Sequence, residues 1–429
     1  MKFVSTVLLS TICLGAIAQE PKNVIMVVGD GMGPAYTTAY RYFSDDRNTP
    51  EVERTVFDRL LVGMASTYPA PVSGYVTDSA AGATALSTGT KTYNGAIAVD
   101  VDKEPVKTVL EWAKEHGMKT GVAVTSQINH ATPAGYSAHN ESRKNYNEIA
   151  DSYFDRKVAN DFVLDVMLGG GWRYFKRDDR NIIEEFTAAG YEYVDNIAAL
   201  KDTDETKPLL GLFADQGLNW ALDMPDKQRL RTLTESAVKH LENDKGFFLL
   251  VEASQVDWAG HSNDVGAAMG EMQDLASTMT WLEQYVDAHP DTLVVLTADH
   301  STGGFTIGAN TIYKWEPQWV QNLKVSPFSI AKQLMKAKDK APLASDLLGF
   351  TLTSEEKSII EAIDTKDEDV AYQTVKTLLD LRTNTGWTTG GHTGVDVPVF
   401  AKGPGSDKFR GSINNTQVAD HIFTLLGRE

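Results

Sequence analysis

Five short runs of apolar residues mark the chain, and none of them alternates apolar with polar positions. They are NVIMVV (Asn23–Val28), TGVAVT (Thr120–Thr125), FFLLVE (Phe247–Glu252), TLVVLTA (Thr292–Ala298) and VPVFA (Val397–Ala401). A strand that is buried on both faces reads as a continuous apolar run, as strands of parallel sheets do. The five runs therefore predict strands inside a mostly parallel sheet.

Amphipathic stretches lie between these runs. Apolar residues recur at helical spacing in Val106–Gly117, Leu230–Asn243 and Ala267–His289, which predicts helices with one buried face. Strands that alternate with helices build layered α/β folds. We therefore predict a three-layer α/β sandwich, in which a large, mostly parallel central sheet carries helices on both faces.

Two segments depart from this alternation. Segment 311–385 is rich in Lys, Asp and Glu and reads as two or three helices between strand signals. We predict a helical insertion there, with membership of the core layer as the alternative. At the N-terminus, Lys2, the apolar run Phe3–Gly15 and the small residues Ala16–Ala18 have the pattern of a secretory signal and its cleavage site. A buried N-terminal strand or helix is the alternative for 1–18, and 19–429 is predicted to form a single domain.

Composition narrows the function and the location. The 429 residues include 40 basic and 58 acidic side chains, a formal charge of −18, which argues against the basic face of a nucleic-acid binder. An anionic ligand would therefore need a local positive site. The single cysteine, Cys13, lies in the predicted signal, so no disulfide is expected. We predict a periplasmic or secreted protein without a membrane span.

Acidic and histidine residues cluster where the predicted strands end. In open α/β sheets, ligands bind beyond the carboxyl ends of the strands. The residues at these ends are Asp30 after the first run, His130 and Thr132 after the second, Glu252, Asp257 and His261 after the third, Asp299 and His300 after the fourth, and His392 before the fifth. A helix cap or a surface pair explains any one of them. As a set they predict one functional site.

The residue types in this set indicate metals. Asp, Glu and His without Cys suit catalytic zinc, and oxygen-rich positions suit magnesium. At three or four ligands for each ion, the set is large enough for two or three ions. Paired ions clamp the attacking and leaving oxygens of an in-line displacement, which indicates phosphoryl or sulfuryl transfer or a related hydrolysis.

Ser79 lies in TDSAAGATALSTG (Thr77–Gly89), among small residues. One interpretation is a nucleophile at the start of a helix, activated by a metal and beside N–H groups that attract an anion. The other is a helix start with an N-cap at Ser79 or Asp78 and small residues for close packing. The local sequence favours neither. Arg143, close after HATPAG, is the candidate phosphate clamp, with a solvated surface arginine as the alternative.

Six motifs together resemble one family. VVGDGMG, TDSAAGATA, HATPAGYSAHNESR, VEASQVDWAGH, TADHSTGGFT and GGHTG occur in this order over nearly the whole chain, apart from the predicted insertion. The chain thereby resembles the bacterial alkaline phosphatases, including the shorter exported type of marine and cold-water bacteria. The resemblance implies a homodimer that hydrolyses small phosphate monoesters to an alcohol and inorganic phosphate through a phosphoserine at Ser79.

The resemblance also implies a role for each residue of the site. Two zinc ions and one magnesium ion are implied, and the ligand sets are Asp257, His261 and His392 for one zinc, Asp30, Asp299 and His300 for the second zinc, and Asp30, Thr132 and Glu252 for the third ion. Ser79 is implied to be the nucleophile beside the second zinc. Arg143 is implied to clamp the phosphate, oriented by Asp78.

Two positions depart from the enterobacterial pattern of the family. His130 stands where that pattern has an aspartate near the third metal, and Trp258 stands where it has a lysine that contacts phosphate through water. Other members of the family carry the same pair of His and Trp. We count both as substrate-binding, and His130 also as a ligand that favours zinc or cobalt over magnesium. The rivals are a phosphodiesterase of the same superfamily, a sulfatase, for which no C-x-P-x-R motif is present, and a metal or phosphate carrier without turnover.

Overall fold

The structure is a computed structural model, and it describes residues 20–428. The predicted signal peptide at 1–18 therefore lies outside the described residues. Within them, no helix combines the length and the apolar character that a membrane crossing needs.

Strands and helices alternate along most of the described chain. The strands β1 to β16 are Asn23–Val28, Leu61–Ser66, Lys119–Gln127, Lys157–Val158, Asp161–Phe162, Val166–Gly170, Glu192–Val194, Leu209–Leu212, Phe247–Glu252, Thr292–Thr297, Ser301–Thr302, Thr306–Ile307, Thr385–Gly386, His392–Thr393, Val397–Lys402 and Gly411–Asn414. The helices α1 to α17 are Pro34–Phe43, Val56–Leu60, Ser79–Thr88, Val109–Glu115, Ala131–Ser137, Tyr146–Asp155, Trp172–Phe175, Ile182–Ala188, Arg229–Leu241, Gln255–His261, Val265–Ala288, Gln318–Gln321, Pro327–Lys336, Lys340–Leu348, Ser354–Glu361, Glu368–Thr383 and Asn415–Leu425. Short 3-10 helices occupy Pro71–Ser73, Ile197–Asp202, Ala221–Asp223 and Ser406–Phe409.

Ten of these strands form the central sheet, in the order β16-β2-β15-β10-β1-β9-β3-β6-β8-β7. Only β15 runs antiparallel to its neighbours β10 and β2. Every residue of β1, β9 and β10 is buried. Because successive side chains point to opposite faces of a strand, both faces of the sheet must be covered. The predicted fold class is therefore confirmed.

The five apolar runs all become strands of this sheet, and the three amphipathic stretches become α4, α9 and α11. Their predicted ends differ from the observed ones by a few residues at most. The sheet also contains five strands that the periodicity did not predict, β2, β6, β7, β8 and β16. Strand β2 shows why, since most of its residues are only partly buried and it includes Gly63, so it lacks the continuous apolar pattern.

Segment 311–385 holds the five helices α12 to α16. It leaves the sheet region after β12 and returns at β13, and these two short strands pair with each other antiparallel. Helices α12 and α16 pack on α11. The segment therefore leaves and rejoins the rest of the chain at two neighbouring strands, β12 and β13.

The order β10-β1-β9-β3 decides where the site lies. These four neighbours are parallel, so their carboxyl ends meet at one edge. The register pairs Val28 of β1 with Thr297 of β10 and with Glu252 of β9. Because Asp30 and Asp299 each follow two residues after this level, three carboxylates from distant parts of the chain converge there.

Candidate active site and metal centre

Ser79 is the first residue of helix α3, but its hydroxyl does not cap the helix. The N-cap is Asp78, whose Oδ1 accepts hydrogen bonds from the backbone N–H groups of Ala81 and Gly95, both at 3.0 Å. Ser79 is 1% exposed, and its Oγ lies 3.1 Å from His300 Nε2. Because Asp78 satisfies the helix end, the serine hydroxyl is directed to the residues at the carboxyl ends of the strands.

Small residues bring helix α3 close to these strand ends. All ten of its residues are buried. A Cβ added to Gly82 would lie 2.9 Å from Asp299 Cβ and 3.1 Å from the Asp299 carbonyl oxygen, closer than a methyl group tolerates. Glycine at position 82 therefore lets Ser79 approach the carboxylate cluster.

Arg143 is a half-buried cation that Asp78 holds in place. Its Nη1 donates to Asp78 Oδ2 at 3.0 Å, and its Nη2 lies 3.3 Å from His130 Nε2. Its backbone N–H donates to Gly95 O at 2.8 Å. Burial lowers the pKa of Arg143, but the charge and hydrogen bond of Asp78 outweigh burial and raise the pKa overall. The guanidinium therefore stays charged beside Asp78, the residue before Ser79, as a phosphate clamp requires.

The first candidate metal group joins Asp257, His261 and His392, whose ligand atoms all lie within 4.8 Å of one another. His261 Nδ1 bonds the Gly390 carbonyl at 2.7 Å, and His392 Nδ1 bonds the Thr77 carbonyl at 2.9 Å. These bonds leave the two Nε2 atoms facing each other at 3.1 Å. Two lone pairs repel at this distance, so a proton or a cation must lie between them.

The second group joins Asp30, Asp299 and His300. Asp299 Oδ1 accepts a hydrogen bond from Gly31 N at 3.1 Å, while Asp299 Oδ2 has no hydrogen-bond partner. His300 Nε2 lies 3.5 Å from Asp30 Oδ1 and 3.2 Å from Asp299 Oδ2. Ser79 approaches the same nitrogen, so its hydroxyl lies at the edge of this group.

The third group joins Asp30, His130 and Glu252, with Thr132 on the adjoining helix α5. Glu252 Oε2 accepts from Ser126 Oγ at 3.2 Å, but Glu252 Oε1, the Thr132 hydroxyl and His130 Nδ1 are buried without a partner. Asp30 therefore belongs to two groups, and both of its oxygens also lack a partner.

These orphaned oxygens test whether the residues fit metal ions. Asp30, Glu252 and Asp299 are fully buried, and an unpaired buried carboxylate is costly. Burial, followed by the charge of Asp299, raises the pKa of Asp30 well above its usual range. Burial is also the main cause that raises the pKa of Glu252 to about 7 and that of Asp299 to about 6. Bound cations would stabilise the ionised forms, so the donor set fits them.

The histidines of the groups also fit, because a metal ligand must be a neutral imidazole. Burial is the largest cause that lowers the pKa of His130 to about 3 and the pKa values of His300 and His392 to about 4. His261 differs, since its hydrogen bond to Asp257 raises its pKa to about 9. Metal binding at the first group would therefore release a proton from His261.

All the residues predicted for the site meet here, and the structure adds others. Thr302 Oγ1 donates to Asp257 Oδ1 at 2.5 Å and lies 3.2 Å from His300 Nδ1, so it links the first two groups. The Trp258 ring meets the His130 ring edge-on at 6.0 Å between centroids. Thr302 and Ser126 were not predicted, and no pattern distinguishes these hydroxyl residues from others near strand ends.

The family model described as Alkaline phosphatase matches residues 21–427. The chain belongs to the alkaline phosphatase family. Alkaline phosphatases hydrolyse phosphate monoesters to an alcohol and inorganic phosphate, and the resemblance of the motifs is thereby confirmed. Membership in this family favours hydrolysis over the carrier and sulfatase alternatives.

Similar alkaline phosphatases have been sequenced and solved. Alkaline phosphatase 3 of Bacillus subtilis is 47% identical over 414 residues, which are 95% of this chain and 89% of that protein. The cold-active enzyme from the psychrophile Shewanella sp. is 49% identical with a TM-score of 0.89, over 94% of this chain and 99% of its own.

A third solved enzyme, from the Antarctic bacterium TAB5, is 27% identical with a TM-score of 0.71, over 95% of this chain and 98% of its own. Variants of the TAB5 enzyme with a histidine replaced by glutamate or by aspartate are described with Mg bound in the M3 site.

Proposed function

We propose that the chain hydrolyses phosphate monoesters in two steps, with Ser79 as the nucleophile that carries the phosphoryl group between them. The observation that carries this proposal is the position of Ser79 Oγ. Ser79 is buried, Asp78 caps the helix in its place, and its Oγ lies 3.1 Å from His300 Nε2 at the edge of the candidate metal groups. In the first step a bond forms from Ser79 Oγ to phosphorus, and the bond to the alcohol oxygen breaks. In the second step water attacks phosphorus and frees Ser79.

The side chains of the site hold the substrate during both steps. Arg143 binds the non-bridging phosphate oxygens with its paired N–H groups, and Asp78 fixes Arg143 and the start of helix α3 with the same carboxylate. Asp78 therefore fixes the distance between Ser79 and Arg143. Such positioning contributes much of the catalysis of phosphoryl transfer.

For the metals we propose zinc at the first two groups and a third ion held by Asp30, Thr132, Glu252 and His130. When bound, these cations would stabilise the negative charge that develops on the attacking and leaving oxygens. The TAB5 variants described with magnesium have an acid in place of a histidine. By analogy, His130 should shift the third group away from magnesium and toward zinc or cobalt.

Replacement of Ser79 tests the nucleophile. The Ser79→Ala variant should keep its metals but lose turnover by several orders of magnitude, and acid quenching with labelled substrate should trap phosphate on Ser79 only in the wild type. Ser152→Ala is the matched control, because the Ser152 hydroxyl bonds only the Ile149 carbonyl of its own helix. Near-normal turnover of Ser79→Ala, or label on another residue, would refute the assignment.

Metal analysis tests the third ion. Purified wild type should hold zinc or cobalt in preference to magnesium at the third group, and His130→Asp should raise the magnesium content by about one ion per chain. An unchanged magnesium content in this variant would contradict the role of His130.

The assembly, the location and the domain organisation complete the proposal. We propose a homodimer of one catalytic domain spanning 19–429 with its helical insertion at 311–385, exported to the periplasm or the medium by the signal at 1–18. The family resemblance and the N-terminal pattern support these statements. Light scattering of the purified protein should give twice the chain mass, and cell fractionation should find the activity outside the cytoplasm.

A further inference from the structure

A cleft of about 680 Å³ is lined by Trp258, whose ring meets His130 of the third candidate group. Three parts of the chain build it: segment 216–223 after strand β8, the start of helix α10, and the first turns of helix α13 in the helical insertion. The side chains that characterise it are Gln216, Trp220, Gln255, Trp258, Phe328 and Lys332. Its walls therefore combine three half-buried aromatic rings with amide groups and one cation.

Hydrogen bonds tie segment 216–223 to helix α13. Asp223 accepts from the backbone N–H of Ser326 at 2.7 Å, from Ser326 Oγ at 2.6 Å and from Ser329 Oγ at 2.8 Å. Because Ser326 is the N-cap of α13, this carboxylate fixes the end of the helix that carries Phe328. Two walls of the cleft are therefore held together without a ligand.

The third wall is held from beneath by a buried ion cluster. Gln255 Nε2 donates to the Leu218 carbonyl at 2.5 Å, and Gln255 Oε1 accepts from Arg229 Nη2 at 2.5 Å. Arg229 is fully buried and pairs with Glu271 at 2.8 Å and with Asp274 at 2.6 Å. Breaking such a buried network is costly, so Gln255 keeps its place and the cleft is preformed.

Trp258 joins this cleft to the reaction centre. Its ring lines the cleft and also meets the His130 ring edge-on. His130 Nε2 in turn lies 3.3 Å from Arg143 Nη2. An occupant of the cleft would therefore lie only two side chains from the proposed phosphate clamp.

The lining selects the kind of alcohol. Flat rings gain from aromatic side chains such as Trp220, Trp258 and Phe328. The exposed amides of Gln216 and Asn219 offer donors and acceptors to the polar edge of a heterocycle, which an alkyl chain lacks. We infer that the cleft is a subsite for the leaving group, and that it favours phosphomonoesters whose alcohol carries a flat heterocycle, as in nucleoside monophosphates. This inference rests on the proposed hydrolysis of monoesters at Ser79, and it gives the helical insertion a role in substrate choice.

Two substrates with equally reactive leaving groups test this inference. Adenosine 5′-monophosphate and glycerol 3-phosphate both release a primary alcohol, so a difference in kcat/KM reports binding of the remainder of the molecule. We expect the wild type to favour the nucleotide. Trp220→Leu and Phe328→Leu remove the rings but keep apolar volume, and each should lower kcat/KM for the nucleotide at least about fivefold more than for glycerol 3-phosphate.

Tyr313→Leu is the matched control, because Tyr313 lies in the same insertion, is fully exposed and is outside the cleft. Both of its kcat/KM values should stay at the wild-type level. Equal losses on the two substrates in the cleft variants, or no loss on either, would overturn the subsite while the proposed hydrolysis stands. Failure of the wild type on both substrates would instead overturn the proposed function, and the subsite with it.

Discussion

Asp30 offers the sharpest test of the metal centre, because it belongs to two of the three candidate groups. The Asp30→Asn substitution keeps the shape of the side chain and removes its charge. In protein without cations, both Asp30 oxygens are fully buried and unpartnered. The substitution should therefore have opposite effects on stability without metals and on activity with them.

The magnitude follows from the spacing of the carboxylates. Ligand oxygens of Asp30 and Asp299 lie within 4.8 Å of each other, so two ionised groups would repel by about 3 kcal/mol at an effective dielectric constant of about 20. Burial and then the charge of Asp299 raise the pKa of Asp30 well above its usual range, so the metal-free fold favours the protonated form of Asp30. A carboxyl pKa that is raised by folding costs stability once the pH exceeds the unfolded pKa, and more as the pH rises toward the folded pKa. At pH 8, Asp30→Asn should therefore stabilise the metal-free protein by about 1–3 kcal/mol.

Unfolding in denaturant, with a chelator and again after reloading with zinc and magnesium, measures both effects. Without metals the variant should unfold at higher denaturant concentration than the wild type. With metals it should be the less stable of the two, and its kcat/KM should fall at least about 100-fold, since it lacks a charge shared by two groups. Asp178→Asn, at an exposed acid, should change neither quantity. A metal-free variant that is no more stable than the wild type would refute the view that Asp30 is an uncompensated carboxyl.

Two further predictions follow from close packing and from buried charge. Gly82→Ala gains about 1 kcal/mol of helix propensity, but its Cβ would lie 2.9 Å from Asp299 Cβ, at a cost of about 1–3 kcal/mol. We expect Gly82→Ala to be no more stable than the wild type and to lose about 10- to 100-fold in kcat/KM, because helix α3 would be displaced. Wild-type kinetics in this variant would contradict the close packing of helix α3 against Asp299. Glu111 has a pKa below its usual range, because the hydrogen bond from His139 and the charge of Arg156 outweigh burial, which raises the pKa. It should therefore add stability that is complete above the unfolded pKa of about 4.3 and is lost as the pH falls toward the folded pKa. Glu111→Gln should lower the free energy of unfolding at pH 7 and reduce the stability that the protein loses between pH 7 and pH 4. Unfolding midpoints at the two pH values measure both effects. An equal loss of stability in the variant and the wild type would count against the ion pairs of Glu111 with His139 and Arg156.

Much of the core of the fold was predictable, because its central strands have a strong local signal. Strands β1, β9 and β10 are buried on both faces, so each reads as an unbroken apolar run. Strand β16, at the edge, has two exposed residues among its four, and strand β8 has four residues in all. Such short or partly exposed strands depend on neighbours that are distant in the sequence, and local pattern does not reveal those.

The candidate site was predictable for a related reason. Asp30 and Asp299 follow buried strands and Glu252 ends one, so the rule for strand ends was enough to bring them together. His392 lies instead on the short strand β14, which pairs with β11, and Arg143 is placed by a backbone bond to Gly95. Neither placement follows from periodicity. Arg143 was proposed as the phosphate clamp from its guanidinium and its position close after HATPAG, and His392 joined the set because it precedes the fifth apolar run, while its assignment to one metal came from the family resemblance. The cleft beside Trp258 was not predicted, because it needs three segments that only the packed structure brings together.

The pairing of strand β1 has a consequence for the order of folding. Asn23 in β1 and Thr292 in β10 are separated by 269 positions, yet their side chains are hydrogen-bonded. Contacts between such distant positions form slowly, and Asp30 cannot meet Asp299 before they form. The second candidate metal group is therefore absent until the central strands have paired, so a cation at this group cannot guide the early stages of folding. Cations that bind at this group would bind the finished sheet, and their binding energy would oppose unfolding of the whole sheet.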